Sequence, residues 1–160
     1  MIFGKNFNDA YYQQIIEEID ELKDIVILDN QENIMDYFNA SDIYVCSSTN
    51  ESFPLVILEA MSCSLPIVTT PVFGISEQVT DGESALLYNP GEIKQLANKI
   101  KFLLDHKNEA KEMGKRARAA VEILFWEEDM LCEYEELIKT VIYEDAIALP
   151  MISSAKPLGA

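Results

Sequence analysis

The chain has 160 residues, one domain's worth and enough to bury a single core. Its 49% hydrophobic and 25% charged residues describe an ordinary globular chain and exclude a disordered one. A formal net charge of −16 argues against nucleic acid, anionic membrane or another polyanion as a partner of the bulk surface.

Taken in chain order, the first periodic segment runs from Asn8 to Leu22. There Tyr12, Ile15, Ile16, Ile19 and Leu22 recur at helical spacing, with acids on the opposite face. Ile25-Val26-Ile27-Leu28 reads as a short buried strand closed by the turn-forming pair Asp29-Asn30. A short helix is predicted from Ile34 to Asn39, and a second buried strand over Ile43-Tyr44-Val45-Cys46. A polar turn leads into a helix that opens near Pro54, where proline is tolerated, and ends near Ser62. The β-branched run Pro66 to Thr70 is strand, Gly74 to Val79 a brief helix, and Ala85 to Tyr88 the last strand. Beyond it the chain is helical. Gly91 to Leu104 carries Ile93, Leu96, Ala97, Ile100 and Leu103 on one face, and helices follow over Asn108–Leu124 and Glu127–Tyr143. Trp126, beside Phe125, is expected to anchor the last helix to the core. The tail from Ala146, with Pro150, Ser153, Ser154, Pro157 and Gly159, reads as irregular. Residues 1–145 are therefore expected to form one domain and 146–160 an irregular tail. Strands alternating with helices predict an α/β fold, a doubly wound parallel sheet covered on both faces.

The turn after the second strand carries the chemistry. Glu51 falls in the loop at the carboxyl end of a strand, where ligands of such sheets bind, and Glu59 about one and a half turns into the helix. Between them the backbone N–H groups of Phe53, Leu55 and Val56 are expected to point out of the helix N-terminus. Orphan amides and the helix dipole suit a diphosphate there, while a carboxylate on each side can accept from sugar hydroxyls. Two glutamates at this spacing are also what a solvated helix surface presents by chance.

The remaining features are weaker. Cys46, Cys63 and Cys132 are widely spaced and read as reduced thiols of a cytoplasmic protein, not as metal ligands. His106 reads as a solvated turn residue, and the pairs Glu17/Glu18 and Glu135/Glu136 as solvated helix faces. No Gly-x-Gly-x-x-Gly or Walker-type loop occurs, which counts against a dinucleotide dehydrogenase or a P-loop NTPase. No run approaches 18 apolar residues, so no transmembrane segment is expected, and the N-terminus has no signal-peptide pattern.

Glu51-Ser-Phe-Pro-Leu-Val-Ile-Leu-Glu59-Ala-Met, followed by Leu65-Pro66-Ile-Val-Thr-Thr, Gly74-Ile-Ser-Glu77 and Asp81-Gly82-Glu-Ser-Ala-Leu-Leu, resembles the donor-binding domain of retaining glycosyltransferases with the GT-B fold. The blocks fall in the family's order and spacing, and the likeness runs from about Ile2 to Ile142. It implies a nucleotide-sugar-binding half of a hexosyltransferase-like enzyme that moves a sugar from a nucleoside diphosphate donor to a hydroxyl acceptor. By resemblance Glu51 contacts the donor sugar and is the catalytic candidate, and Glu59 holds the ribose. Ser52, Phe53, Pro54, Leu55 and Val56 form the donor-binding segment whose amides hold the diphosphate. The base is expected against Leu28, Asp29 and Asn30. No metal is expected: the Asp-x-Asp clamp of the other main glycosyltransferase fold is absent. No catalytic base is evident, and the resemblance implies that the donor phosphate serves.

The chain also departs from the family. Ser64 stands where glycine usually follows the helix, and Phe73 stands where a second glycine commonly precedes Gly74. Ser64 must then accept the backbone conformation of that turn, and Phe73 is expected to narrow the donor pocket. The family's first strand and helix, with a basic Arg and Lys for the phosphates, should precede Met1, as should an N-terminal acceptor domain. Lys5 is not promoted to that role. An incomplete piece, a shortened reading frame and one part of a split protein all fit, and such a chain alone is expected to be marginally stable or self-associated and to lack transfer activity. The alternatives are a non-catalytic binding or assembly module with the same fold and a nucleotide-sugar epimerase.

Overall fold

The computed structural model describes residues 2–3, 17, 24–28, 31–124 and 136–140. The chain divides into two compact units, Met1–Ser41 and Asp42–Ala160. In the first, β1 (Ile2–Phe3) pairs in parallel with β2 (Ile27–Leu28), and α1 (Ile34–Asn39) follows with Phe38 buried. The strand expected over Ile25–Leu28 thus pairs only through its last two residues, and Val26 is exposed. The expected Asp29-Asn30 turn and most of the helix over Asn8–Leu22 lie outside the described residues, as do Phe125, Trp126, Cys132 and the tail.

The second unit holds a three-stranded parallel sheet in the order β3 (Tyr44–Cys46), β4 (Ile67–Thr69), β5 (Leu86–Leu87). Strand β4 is central, and its β-branched residues are buried on both faces, as a covered parallel strand requires. Strand β3 was expected to be wholly buried, yet Val45 is 37% exposed. It is an edge strand among the described residues.

Helix α2 (Leu55–Ser62) connects β3 to β4, α3 (Ile75–Gln78) lies between β4 and β5, and α4 (Ile93–Asp105) and α5 (Lys107–Leu124) close the unit. Leu96, Ile100 and Leu103 of α4 pack on the cluster of Val68, Leu86, Tyr88, Ala110 and Met113, each three or four residues from the next along one helix stripe. Ile93 and Ala97, expected on that stripe, are exposed. Ile93 is the first residue of α4, entered from a glycine turn at Gly91 (φ +83°), and does not reach the cluster.

Helix α2 ends in a Schellman motif: Leu65 N–H donates to the Ala60 carbonyl at 3.2 Å and Ser64 N–H to that of Met61 at 2.9 Å. Ser64 takes the left-handed position at φ +57°, the strain expected of a residue standing in for glycine. Helix α5 crosses this corner. Gly114 sits so close that a Cβ there would lie 1.9 Å from the Ser64 carbonyl oxygen, and Arg118 Nη1 donates to the Ser62 carbonyl at 3.1 Å. A cation on the last carbonyl of α2 also complements the negative end of the helix dipole.

Candidate functional site

The β3–α2 turn gathers every donor-site residue of the second unit that the sequence nominated. Strand β3 ends at Cys46, the loop runs through Glu51 and Ser52, and Pro54 is the N-cap of α2 in extended conformation (φ −71°, ψ 113°). Proline has no N–H and no capping side chain, so the orphan donors of the first turn are left to other partners. The Ile57 N–H reaches back to the Pro54 carbonyl at 3.1 Å. Nothing among the described residues accepts from the Leu55 or Val56 N–H. Glu59 sits in the second turn and is half-buried, as is Glu51 in the loop. Leu55, at 67% exposure, and Phe53 stand at the rim.

Glu51 is held in place. Ser48 Oγ donates to Glu51 Oε1 at 2.9 Å, Cys46 Sγ lies 3.6 Å from Ser48 Oγ, and Thr70 Oγ1 donates to the Ser48 carbonyl at 2.5 Å. A chain of short side chains from two neighbouring strands therefore fixes the carboxylate at the strand ends. The Tyr44 hydroxyl belongs to the same surroundings. Its pKa is raised well above the ordinary value of 10.0, first by burial, then by Cys46, and further by Glu59 and Glu51. Both carboxylates thus act electrostatically on one phenol. Burial, and then Cys46, also push the Tyr88 hydroxyl up.

The turn after β4 clamps the site from below. Gly74, the N-cap of α3, would with a Cβ place it 1.6 Å from the Ser52 carbonyl oxygen and 3.2 Å from Phe53 Cα. Only a hydrogen fits there. Gln78, 2% exposed, donates from Nε2 to the Pro54 carbonyl at 3.2 Å, which gives that oxygen its second hydrogen bond. The other amide atom, Gln78 Oε1, and Thr69 Oγ1 are buried without a partner among the described residues. Phe73, just before Gly74, is 70% exposed and has φ +42°.

Sequence reasoning missed the roles of Ser48, Thr70, Gln78 and Tyr44. Thr70 and Gln78 act through contacts with another turn and Tyr44 through burial, while the Ser48–Glu51 bond is local but follows no periodicity. Of the three residues expected against the base, Leu28 ends β2 in the first unit, while Asp29 and Asn30 lie outside the described residues. Cys46 and Cys63 are free thiols, as expected, and His106 is exposed with Nδ1 2.9 Å from the Phe102 carbonyl. No described helix is long and apolar enough to cross a membrane.

The family model of glycosyl transferases group 1 matches residues 1–120. Among curated relatives, N-acetyl-alpha-D-glucosaminyl L-malate synthase of Bacillus anthracis is 31% identical over 132 residues, 82% of this chain and 35% of that protein. Trehalose synthase of Thermococcus litoralis is 30% identical, over 81% of this chain and 32% of its own length. Among solved structures, Anabaena HepE in complex with UDP-glucose matches with a TM-score of 0.77 at 25% identity, covering 83% of this chain and 38% of that one. Sucrose-phosphate synthase from Thermosynechococcus elongatus shares the fold, with a TM-score of 0.80 at 24% identity over 89% of this chain and 38% of that one. The chain spans about a third of the length of the curated relatives it matches.

Proposed function

The chain belongs to the glycosyl transferases group 1 family, and from that premise we propose that its β3–α2 turn is the donor site of a retaining, nucleoside-diphosphate-sugar-dependent glycosyltransferase. The observation that carries the reading is the pair of amides, Leu55 and Val56, that have no partner among the described residues, at a helix N-terminus flanked by Glu51 and Glu59. Those amides and the positive end of α2 would face the diphosphate. They act locally, which is how a chain of net charge −16 can still hold an anion. Glu59 would accept from the two ribose hydroxyls and Glu51, steadied by Ser48, from hydroxyls of the donor sugar. HepE has been seen with UDP and with UDP-glucose, which supports a nucleotide-sugar ligand for the same fold.

In the proposed reaction the bond from the sugar's anomeric carbon to the diphosphate oxygen breaks and its electron pair leaves with the phosphate. The acceptor hydroxyl forms the new bond on the same face, and its proton passes to the departing phosphate oxygen. Charge builds on the diphosphate as that bond breaks, so donors fixed beforehand at the end of α2 stabilise the transition state without reorganising. We read the site as metal-independent, because these donors face the charge and the sequence holds no Asp-x-Asp pair.

The test is calorimetric titration of the full-length protein with UDP, GDP and ADP, together with turnover measurements. Glu59→Ala is expected to weaken binding of the preferred nucleoside diphosphate about ten- to a hundredfold, since charge-assisted bonds to two hydroxyls are lost. Glu51→Gln is expected to lower turnover and leave free-nucleotide affinity near the wild-type value, because its contact is with the reacting sugar. Equal affinity in wild type and Glu59→Ala would remove Glu59 from the site. A collapse of nucleotide affinity in Glu51→Gln would reverse the two roles.

A further inference from the structure

Phe73 is the one described non-glycine residue besides Ser64 with a left-handed backbone, and the two differ in what surrounds them. Ser64 is small, and its conformation closes a helix. Phe73 is bulky, a poor occupant of the left-handed region, where a glycine or asparagine would sit with less strain. Its ring returns nothing to the core, being 70% exposed. The backbone conformation itself belongs to the fold: the Phe73 carbonyl accepts from Ser76 N–H at 3.1 Å and so opens α3. The ring has no such duty. Strain kept in place by its surroundings, at a residue whose side chain contributes no packing, points to function.

The surroundings also say where that function lies. The loop carrying Phe73 is tied to the donor turn on each side, by Thr70 Oγ1 to the Ser48 carbonyl and by Gly74 seated against the Ser52 carbonyl. Phe73 thus precedes Gly74, the residue seated on Ser52, which is the neighbour of Glu51 and lies seven residues before Glu59. On the donor reading above, on which this inference rests, that is the sugar end and not the ribose end. We propose that Phe73 is a specificity-determining residue, an aromatic platform for the apolar C–H face of the donor's sugar ring. A ring there gains by covering that face and disfavours a sugar with an axial hydroxyl on it, which would stand between the rings and lose its water.

The experiment separates sugar from nucleotide. Calorimetry on the full-length protein compares UDP with UDP-glucose, GDP with GDP-mannose and ADP with ADP-glucose, and the pair that wild type binds is carried into Phe73→Asn and Phe73→Trp. Asparagine tolerates the left-handed backbone and removes the ring; tryptophan keeps an aromatic face. Phe73→Asn is expected to bind the free nucleotide within about twofold of wild type and the nucleotide sugar about three- to tenfold more weakly, the range of an aromatic contact. Its melting temperature should be unchanged or higher, and Phe73→Trp should retain nucleotide-sugar affinity. Equal weakening of nucleotide and nucleotide sugar overturns the inference, as does no change in either. A Phe73→Asn protein melting several degrees lower overturns it too, because the ring would then belong to the fold or to an interface. If wild type binds none of the six ligands, the donor reading fails and takes this inference with it; binding without a sugar-specific change sinks the inference alone.

Discussion

Two neighbouring strands, β3 and β4, each end in a loop that turns into a helix, and the two turns handle the same problem in opposite ways. A helix start has four N–H groups without an internal partner. After β3 the amides of Leu55 and Val56 remain unpartnered among the described residues, at the start of a helix of eight residues. After β4 the amides of Ile75, Ser76 and Glu77 are all taken, by the carbonyls of Val72, Phe73 and Gly74. Helix α3 is only four residues long and serves as a wedge, with Gly74 and Gln78 pressed on the first turn. Donors left without a protein partner at a helix start are open to water or to a ligand. The second turn satisfies its own donors and keeps the first in shape.

The sharpest way to break that division is Gly74→Ala. The new methyl would overlap the Ser52 carbonyl, backbone against which no side chain can yield, and should cost about 3 kcal/mol or more of stability and disable nucleotide binding. Gly114→Ala is the control, since its methyl would strike the Ser64 carbonyl at the far end of α2. Denaturant unfolding should show both proteins destabilised, whereas calorimetry at a temperature where both remain folded should find nucleotide affinity lost only in Gly74→Ala. Equal affinity in the two would mean that the β4–α3 turn does not shape the donor turn.

A smaller effect is expected at the closing end of α2. Ser64→Gly relieves a left-handed backbone and should stabilise the protein by up to about 1 kcal/mol, raising the melting temperature by a few degrees with nucleotide affinity unchanged. A drop in melting temperature would show that Ser64 has a role beyond its backbone. This result also calibrates Phe73, since strain of similar kind at Ser64 should be removable without touching the ligand.

The smallest effect appears only at high pH. The folded-state pKa of Tyr44 is raised, so the hydroxyl loses its proton in the unfolded chain, near pH 10.0, before it does in the folded one. Its contribution is present in full below pH 10 and is lost as pH rises above that value. Tyr44→Phe should therefore flatten the fall in stability above pH 10 and leave the profile near pH 7 unaltered in slope. Identical alkaline limbs for the two proteins, measured by thermal unfolding across pH 8 to 11, would show that burial and its neighbours do not hold the Tyr44 hydroxyl above its ordinary value.

Periodicity and turn chemistry made most of the fold legible before any coordinates. The helix over Ile34–Asn39 came out with those bounds, and α2, β4, α3 and α5 fell within a residue or two of their expected ends. These elements rest on local signals: β-branched runs, a proline at a helix start, glycines at turns. The candidate donor residues come together for the same reason, since Glu51 through Glu59 are consecutive and lie on one turn and one helix. That Ser64 has to accept the conformation of its turn followed from the resemblance, whose members usually carry glycine there; the left-handed φ itself came from the structure. What only the tertiary structure decided is everything that depends on a second element arriving. The exposures of Val45 and of Ile93, the first residue of α4, depend on what packs over them. The bond from Thr70 to the Ser48 carbonyl, the seat of Gly74 under Ser52 and the reach of Gln78 to Pro54 join residues on different turns. A hydrogen bond or a close approach acts only over a few ångströms, so its existence is set by how the chain returns to itself, which no window of local sequence contains.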